Sequence, residues 1–409
     1  MPAKKINTIT LGCRLNFYES EVLKSSLSEE FSEGDEVIII NTCCVTHEAE
    51  RQSKQAVRKC LREHPEAKVI VSGCAVHTER EYFSELKGVH KIIDNDMKRD
   101  YESADTFSGK NESLFDGKAR GFLQIQNGCD NYCTFCIVPF TRGKPRSLPL
   151  KIIHNHIENL LDSGLSEIVF SGVDITSYGK DLEEKIELAD VLISVLEKFP
   201  VLERIRISSL DPHGITAKLT ELIMEEQRIL PHLHLSIQSG DDHILRLMRR
   251  RHTRAEVIKL CNTIKEKRED IVFGSDFIAG FPGESEEMFE NTISIVDEAG
   301  ISFLHVFPYS VRAGTIAASF IQLPREIIRS RAGRLRMKGK VVYKLLLNSF
   351  VGKTDNFIVE KESDGIIHGK TDHFISIRAK NTGGAKEGDV VKHSLIEFVD
   401  GNELVGRVG

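Results

Sequence analysis

Tryptophan is absent from these 409 residues. No apolar run approaches the roughly 18 residues that a membrane-spanning helix needs, so an integral helical membrane protein is excluded. Positive charge is not in excess. Fifty-five Lys and Arg face 61 Asp and Glu, the formal net charge is −6, and the pI is near 6.2. A globally basic nucleic-acid coat is thereby excluded, and any RNA contact has to come from local patches. The first residues, MPAKKINTITLGCRLN, contain no apolar signal core, so a cytoplasmic location is expected. What is present is a globular composition, 40% hydrophobic and 28% charged, on a chain long enough for two or three domains.

Nine cysteines stand at 13, 43, 44, 60, 74, 129, 133, 136 and 261. An odd number spread over a long chain argues against a disulfide framework and for metal-binding or catalytic thiols. Cys60 and Cys261 fall inside helical patterns, KQAVRKC and EVIKLC, and read as packing residues.

Strand-like runs at Lys5–Leu11, Val37–Ile40 and Lys68–Val71 alternate with charged helical stretches. This predicts a doubly wound, parallel-sheet α/β domain over 1–97. Residues 98–118 are polar and aperiodic and read as a linker. A second series follows, with strands expected at Phe122–Gln126, Ile168–Ser171, Arg204–Ser208, Leu233–Ile237, Ile271–Phe277 and Phe303–Phe307. Six strand–helix repeats in about 190 residues predict a partial (β/α)6 barrel over 119–345. Over 346–409 the alternating runs FIVE, FISIR and VVKHSL predict a small all-β barrel.

Cys129, Cys133 and Cys136 lie in NGCDNYCTFCIVPFTRG, immediately after the first barrel strand. A structural zinc site wants four ligands, commonly two CxxC pairs, and no second pair exists here. Three thiolates leave one iron of a four-iron cluster open for a small molecule. The loop follows a strand's carboxyl end, where barrels place their chemistry. Unrelated buried cysteines or a zinc site are the alternatives.

Cys13, Cys43 and Cys74 each end a strand of the first domain, in TITLGC, VIIINTC and VIVSGC. In a parallel sheet these points share one carboxyl edge, the place where open α/β sheets bind ligands. Three thiolates there suit a second iron–sulfur cluster. Neighbours in extended chain point opposite ways, so only one of Cys43 and Cys44 faces it. Cys43 is the residue chosen, and Cys44 stays open.

The CxxxCxxC spacing with Phe135 before the third cysteine resembles the radical S-adenosylmethionine (SAM) superfamily. LGCRLNFYESE, NTCCVTHEAERQSKQ, SGCAV, HLSIQSGDDHILRLMRR and GFPGESEEMFENT extend the likeness to the radical SAM methylthiotransferase family along nearly the whole chain. LGCRLN, THEAERQS and FPYSVRAGTIA are most similar to its MtaB-type branch. That branch acts on N6-threonylcarbamoyladenosine at position 37 of tRNA. Other branches act on isopentenyladenosine or on a ribosomal-protein aspartate. Cys44 and Asn127 depart from the family pattern.

The resemblance implies two [4Fe–4S] clusters. The cluster on Cys129, Cys133 and Cys136 cleaves SAM to a 5′-deoxyadenosyl radical, and the one on Cys13, Cys43 and Cys74 carries the sulfur to be inserted. It also implies an external electron donor such as flavodoxin or ferredoxin, and a sulfur donor. The C-terminal module resembles a TRAM domain. Strand ends expected at the SAM site offer Phe135, Gly172, Asp174, Ser209, Ser236, Gln238, Asp276 and Gly280. Two basic stretches, LRLMRRRHTR and the acid-free run after Ile327, put forward Arg249, Arg250, Arg251, Arg331, Arg334 and Arg336 for contact with the tRNA anticodon stem-loop.

Overall fold

The computed structural model describes residues 5–98 and 119–408, and apart from Lys98 the linker expected at 98–118 lies outside the described residues. The first unit is a parallel sheet of β1 (Lys5–Thr10), β2 (Glu36–Thr42), β3 (Lys68–Gly73) and β4 (Val89–Ile93), in that order. The strand β4 was not expected from sequence, because VHKII is short and half polar. Alternation sends Val37, Ile39 and Ile70 to one face of the sheet and Ile38, Ile40, Val69 and Val71 to the other. The helix α1 (Arg14–Ser26) covers the first face and α2 (His47–Glu63) the second. Thr46 caps α2 by accepting from the Ala49 N–H at 3.1 Å, and Glu48 and Glu50 complement its positive end.

α1 has two apolar faces. Leu23 in its last turn and Leu27 just past it join the sheet's own core, while Tyr18 and Val22 enter the core of the second unit. The helix is therefore shared between the two units. Burying a side chain such as Val22 contributes about 1.5–3 kcal/mol.

The second unit holds six parallel strands: β5 (Gly121–Asn127), β7 (Glu167–Gly172), β8 (Arg204–Ile207), β9 (His232–Gln238), β10 (Val272–Ala279) and β11 (Ile301–Pro308). A two-residue strand, β6 (Arg146–Ser147), pairs antiparallel with β5. The ladders form two sheets, β6-β5-β7-β8 and β11-β10-β9, joined by the bridge between Leu210 and Leu235. Among the described residues no ladder joins β11 back to β5, so the barrel stays open on one side. α1 and a long helix, Arg325–Phe350, lie along that open side.

The long helix runs through Phe350, past the point where the sequence suggested an all-β texture. It then leads into β12 (Thr354–Ser363), β13 (Ile366–Thr371), β14 (Ser376–Lys380), β15 (Val390–Asp400) and β16 (Glu403–Arg407), a closed barrel in the order β12-β13-β14-β16-β15. This barrel docks beneath the central unit around Glu167. That fully buried carboxylate receives Arg120 at 2.8 Å, Arg204 at 2.9 Å and Arg206 at 2.7 Å. Arg204 continues to Asp372, and Arg206 donates to the Thr371 and Asp372 carbonyls of the C-terminal barrel.

Candidate iron–sulfur and substrate site

Glycines set the entry of the first-sheet cysteines. Gly12 precedes Cys13 with φ +99°, and a Cβ there would lie 2.9 Å from the Cys43 Sγ. Gly73 precedes Cys74 with φ +98°, where a Cβ would lie 2.3 Å from the Thr42 carbonyl oxygen. Asn16 ties the edge together, donating to the carbonyls of Leu11 at 2.7 Å and Thr42 at 2.9 Å while its oxygen faces the Cys13 thiol at 3.7 Å. The Cys74 Sγ accepts from Asn95 at 3.7 Å. Burial pushes the Cys43 thiol up to about 11. The Cys44 thiol hydrogen-bonds Cys74, which raises Cys44 and lowers Cys74. Cys44 itself belongs to the apolar cluster with Ile38, Val57 and Val71.

The central trio sits on a braced loop. Gly128 turns the chain out of β5, and the Cys129 N–H donates to the Gly143 carbonyl at 3.0 Å. Thr134 is held from both its backbone and its side chain by Met248 and Leu247, at 3.1 and 2.8 Å. The Arg250 guanidinium donates to the Cys133 Sγ at 3.5 Å. All three thiols are half-buried, and burial raises Cys129 and Cys136 to about 12. Thiols of this kind give up their protons on binding a metal.

The donor chemistry fits iron–sulfur clusters. Among the described residues the only His, Cys, Asp or Glu group close enough to share a single ion is His234, Asp276 and His305, so neither cysteine trio closes on one ion as a zinc site would. Gly12 lets the backbone come so close to Cys43 that any Cβ there would push on its side chain. A Gly12→Ala chain is expected to lose iron at the first-sheet edge while keeping the central site, read as a fall in iron and sulfide per chain with SAM binding retained.

Arg142 joins the two loops. Almost wholly buried, it donates to Glu19 at 2.6 Å, to Asn127 at 3.1 Å and to Asn16 at 2.7 Å. Lys98 meets the other Glu19 oxygen at 2.5 Å. Burial alone would raise the Glu19 carboxyl, but Arg142 and Lys98 hold it at about 2. Asn95 donates to the Thr141 carbonyl at 2.7 Å as well as to Cys74. The same few side chains therefore tie the first-sheet edge to the segments on either side of the central cysteine loop.

A cavity of about 920 Å³ lies inside the barrel, and Cys13, Gly172, Ser209 and Asp276 are among its walls. The hydroxyls of Ser171 and Ser208 line it without a hydrogen-bond partner. Ser209 and Ser236 share a hydrogen bond of 2.7 Å. Asp174 accepts from Asn131 at 2.8 Å and so steadies the cysteine loop. Gln238 ends β9 with φ +75°, a strained backbone for a residue with a side chain. Phe135 packs against the cluster of Ile278, Phe281 and Tyr309.

Several of the expected site residues have partners of their own. One oxygen of Asp276 is engaged by His234 at 2.9 Å and His305 at 3.2 Å. Gly280 is glycine because a Cβ would lie 2.8 Å from the Ile328 side chain, and its N–H already donates to Glu284. The Arg250 side chain is 7% exposed and is held by Asp211 and the Ser236 carbonyl beside Cys133. Arg331 is likewise buried against Glu284 and Glu286. Arg334 is exposed but pairs with Glu286 and Glu290, Arg251 is exposed and lies 3.6 Å from Asp211, and Arg249 and Arg336 reach solvent. Sequence reasoning missed Asn16, Asn95, Arg14 and Arg142. Arg14 and Asn16 lie in the LGCRLN motif and Arg142 in FTRG, so proximity to a cysteine was the available signal.

Residues 123–296 match the model of the radical SAM superfamily, and residues 5–94 match one described as uncharacterized protein family UPF0004. The chain is 42% identical to the threonylcarbamoyladenosine tRNA methylthiotransferase MtaB of Rickettsia prowazekii, over 96% of this chain and 95% of that one. It is 31% identical to the MtaB of Bacillus subtilis, over 91% and 90%. It is also 31% identical to the tRNA-2-methylthio-N(6)-dimethylallyladenosine synthase of Rickettsia canadensis, over 93% and 94%. Among solved structures it shares its fold with the radical SAM methyltransferase TsrM of Kitasatospora setae. The TM-score is 0.56 at 12% identity, covering 75% of this chain and 76% of that one.

Proposed function

Because this chain belongs to the radical SAM tRNA methylthiotransferase family, we propose that it attaches a methylthio group to C2 of N6-threonylcarbamoyladenosine at position 37 of tRNA. The observation that supports this most is the pair of cysteine trios, tied through Arg142, which bonds Asn16 and Glu19 behind Cys13 and Asn127 ahead of Cys129. Cys129, Cys133 and Cys136 would hold one [4Fe–4S] cluster and Cys13, Cys43 and Cys74 the other. When bound, the two clusters and SAM supply the radical, the sulfur and the methyl group that an unactivated aromatic C–H demands.

The chain's own residues position and shield. Arg250 orients the Cys133 sulfur and completes its charge environment. Gly172, Ser209 and Ser236 at the strand ends, with the unpartnered Ser171 and Ser208, offer polar contacts to SAM and to the base. The target nucleotide has to leave the anticodon loop to enter the cavity. Arg249, Arg251 and Arg336 stay available for phosphate contacts, which position the RNA without reading sequence. A one-electron reductant of the flavodoxin or ferredoxin class and a sulfur donor complete the set of partners. Among the described residues no helix is long and apolar enough to cross a membrane, and the cytoplasm, where tRNA is matured, is the expected location.

Nucleoside analysis of tRNA from cells with and without the gene tests the reading. Loss of 2-methylthio-N6-threonylcarbamoyladenosine, with its unmethylthiolated precursor accumulating, is expected. Loss of the isopentenyl counterpart, or of the methylthio group on a ribosomal-protein aspartate, would place the chain in another branch.

A further inference from the structure

The cavity walls carry an imbalance of charge. Their single acid is Asp276, already engaged by two imidazoles. Arg14, Arg336, Lys340 and Lys370 bring four cations to the same walls. Arg336 donates to the Val306 carbonyl at 3.1 Å and Lys370 to Ser376 at 2.8 Å.

Arg14 differs from the rest. It opens α1 directly after Cys13, and among the described residues it meets no carboxylate and donates no hydrogen bond. Its guanidinium lies 5.2 Å above the ring of Phe374, which projects from the turn after β13. The Lys370 ammonium and the Arg206 guanidinium approach the same ring, at 5.2 and 5.1 Å. Arg206 is matched by Glu167. Arg14 has only the ring, which it shares with two other cations. A half-buried, unmatched guanidinium in a field of like charge is costly until an anion arrives. The five donors of its planar fork suit a carboxylate held by two parallel bonds.

Position agrees with that anion belonging to the base. Gly172 and Ser209 lie at or just past the carboxyl ends of their strands, and Asp174, two residues after Gly172, accepts from Asn131 of the central cysteine loop at 2.8 Å. His232, at the other end of β9, stacks on Phe374 with centroids 5.1 Å apart. The cavity thus runs from the strand ends to a floor of Arg14, His232 and Phe374. In adenine, C2 and C6 flank N1, so with C2 turned to the cysteines an N6 substituent extends along the cavity. We propose that Arg14 receives the carboxylate of the threonylcarbamoyl substituent and so selects that nucleoside over a neutral N6-alkyl one. This rests on the methylthiotransferase reading and adds the residue that reads the substrate.

Reconstituted wild-type and Arg14→Met chains are compared on anticodon stem-loops carrying the nucleoside as the free acid and as its methyl ester, with iron per chain checked first. Binding by fluorescence anisotropy and kcat/KM are both read. Wild type is expected to favour the acid by about 100-fold or more, as sites built around a polar partner do, and Arg14→Met is expected to treat acid and ester alike. Equal handling of acid and ester by wild type overturns the proposal. So does an equal loss on both substrates in Arg14→Met, which would assign Arg14 to backbone phosphate or to the neighbouring cluster. A wild-type chain that modifies isopentenyladenosine loops and neither of these removes the underlying reading, and the proposal with it.

Discussion

Replacing Cys129, Cys133 and Cys136 together by alanine is expected to remove one of two [4Fe–4S] clusters and to abolish tRNA methylthiolation. Formation of 5′-deoxyadenosine from SAM should disappear with it. The fold should survive, because these half-buried thiols sit on a loop held by backbone bonds to Gly143, Met248 and Ala317 rather than by their sulfurs. The matching Cys13, Cys43 and Cys74 variant should also lose one cluster and all sulfur insertion, yet keep deoxyadenosine formation. That difference in product separates the two roles. Iron and sulfide per chain unchanged in either variant would contradict the assignment of that trio.

Glu167→Ala is expected to be the most damaging single substitution for the joint between the central unit and the C-terminal barrel. The carboxylate has no exposure and is shared by three guanidiniums. Its removal leaves Arg206 with only two carbonyls, and breaking a buried pair in this way costs about 3–5 kcal/mol. Thermal unfolding should start earlier, and limited proteolysis should open the chain near the barrel junction. A melting temperature within a degree or so of wild type would refute it.

The same group gives a pH dependence. Burial works to raise the Glu167 carboxyl, but Arg206, Arg120 and Arg204 outweigh it and hold it at about 2, below its ordinary 4.5. The folded-state pKa is depressed, so the stabilisation is fully present above about 4.5 and is lost as pH falls towards 2. Glu19, held at about 2 by Arg142 and Lys98, adds to the loss in the same window. Acid unfolding should therefore steepen below pH 4.5, and Glu167→Gln should flatten that slope.

How far the sequence could be read follows from the range of the forces concerned. β2, β3 and the six strands of the open barrel were legible because alternation and apolar runs are local. β4 was not, since half its residues are polar and its place comes from pairing with β3. The basic runs misled in part. Charge spacing could not show that Arg331 turns onto Glu284, or that Arg250 turns towards Cys133, as partners about 47 and 117 positions away in sequence decide those orientations.

By itself the sequence determined the chemistry carried by this chain. Six cysteines, at three strand ends and in one loop after a fourth, state what can be bound, because ligand type and local spacing are properties of a few adjacent residues. Only the tertiary structure decided that buried Arg142 ties the first-sheet edge to the end of the central strand, and that Arg14 meets a ring and no carboxylate at the cavity floor. Those outcomes depend on which side chains meet after α1 has packed between sheet and barrel, a meeting that no local pattern encodes.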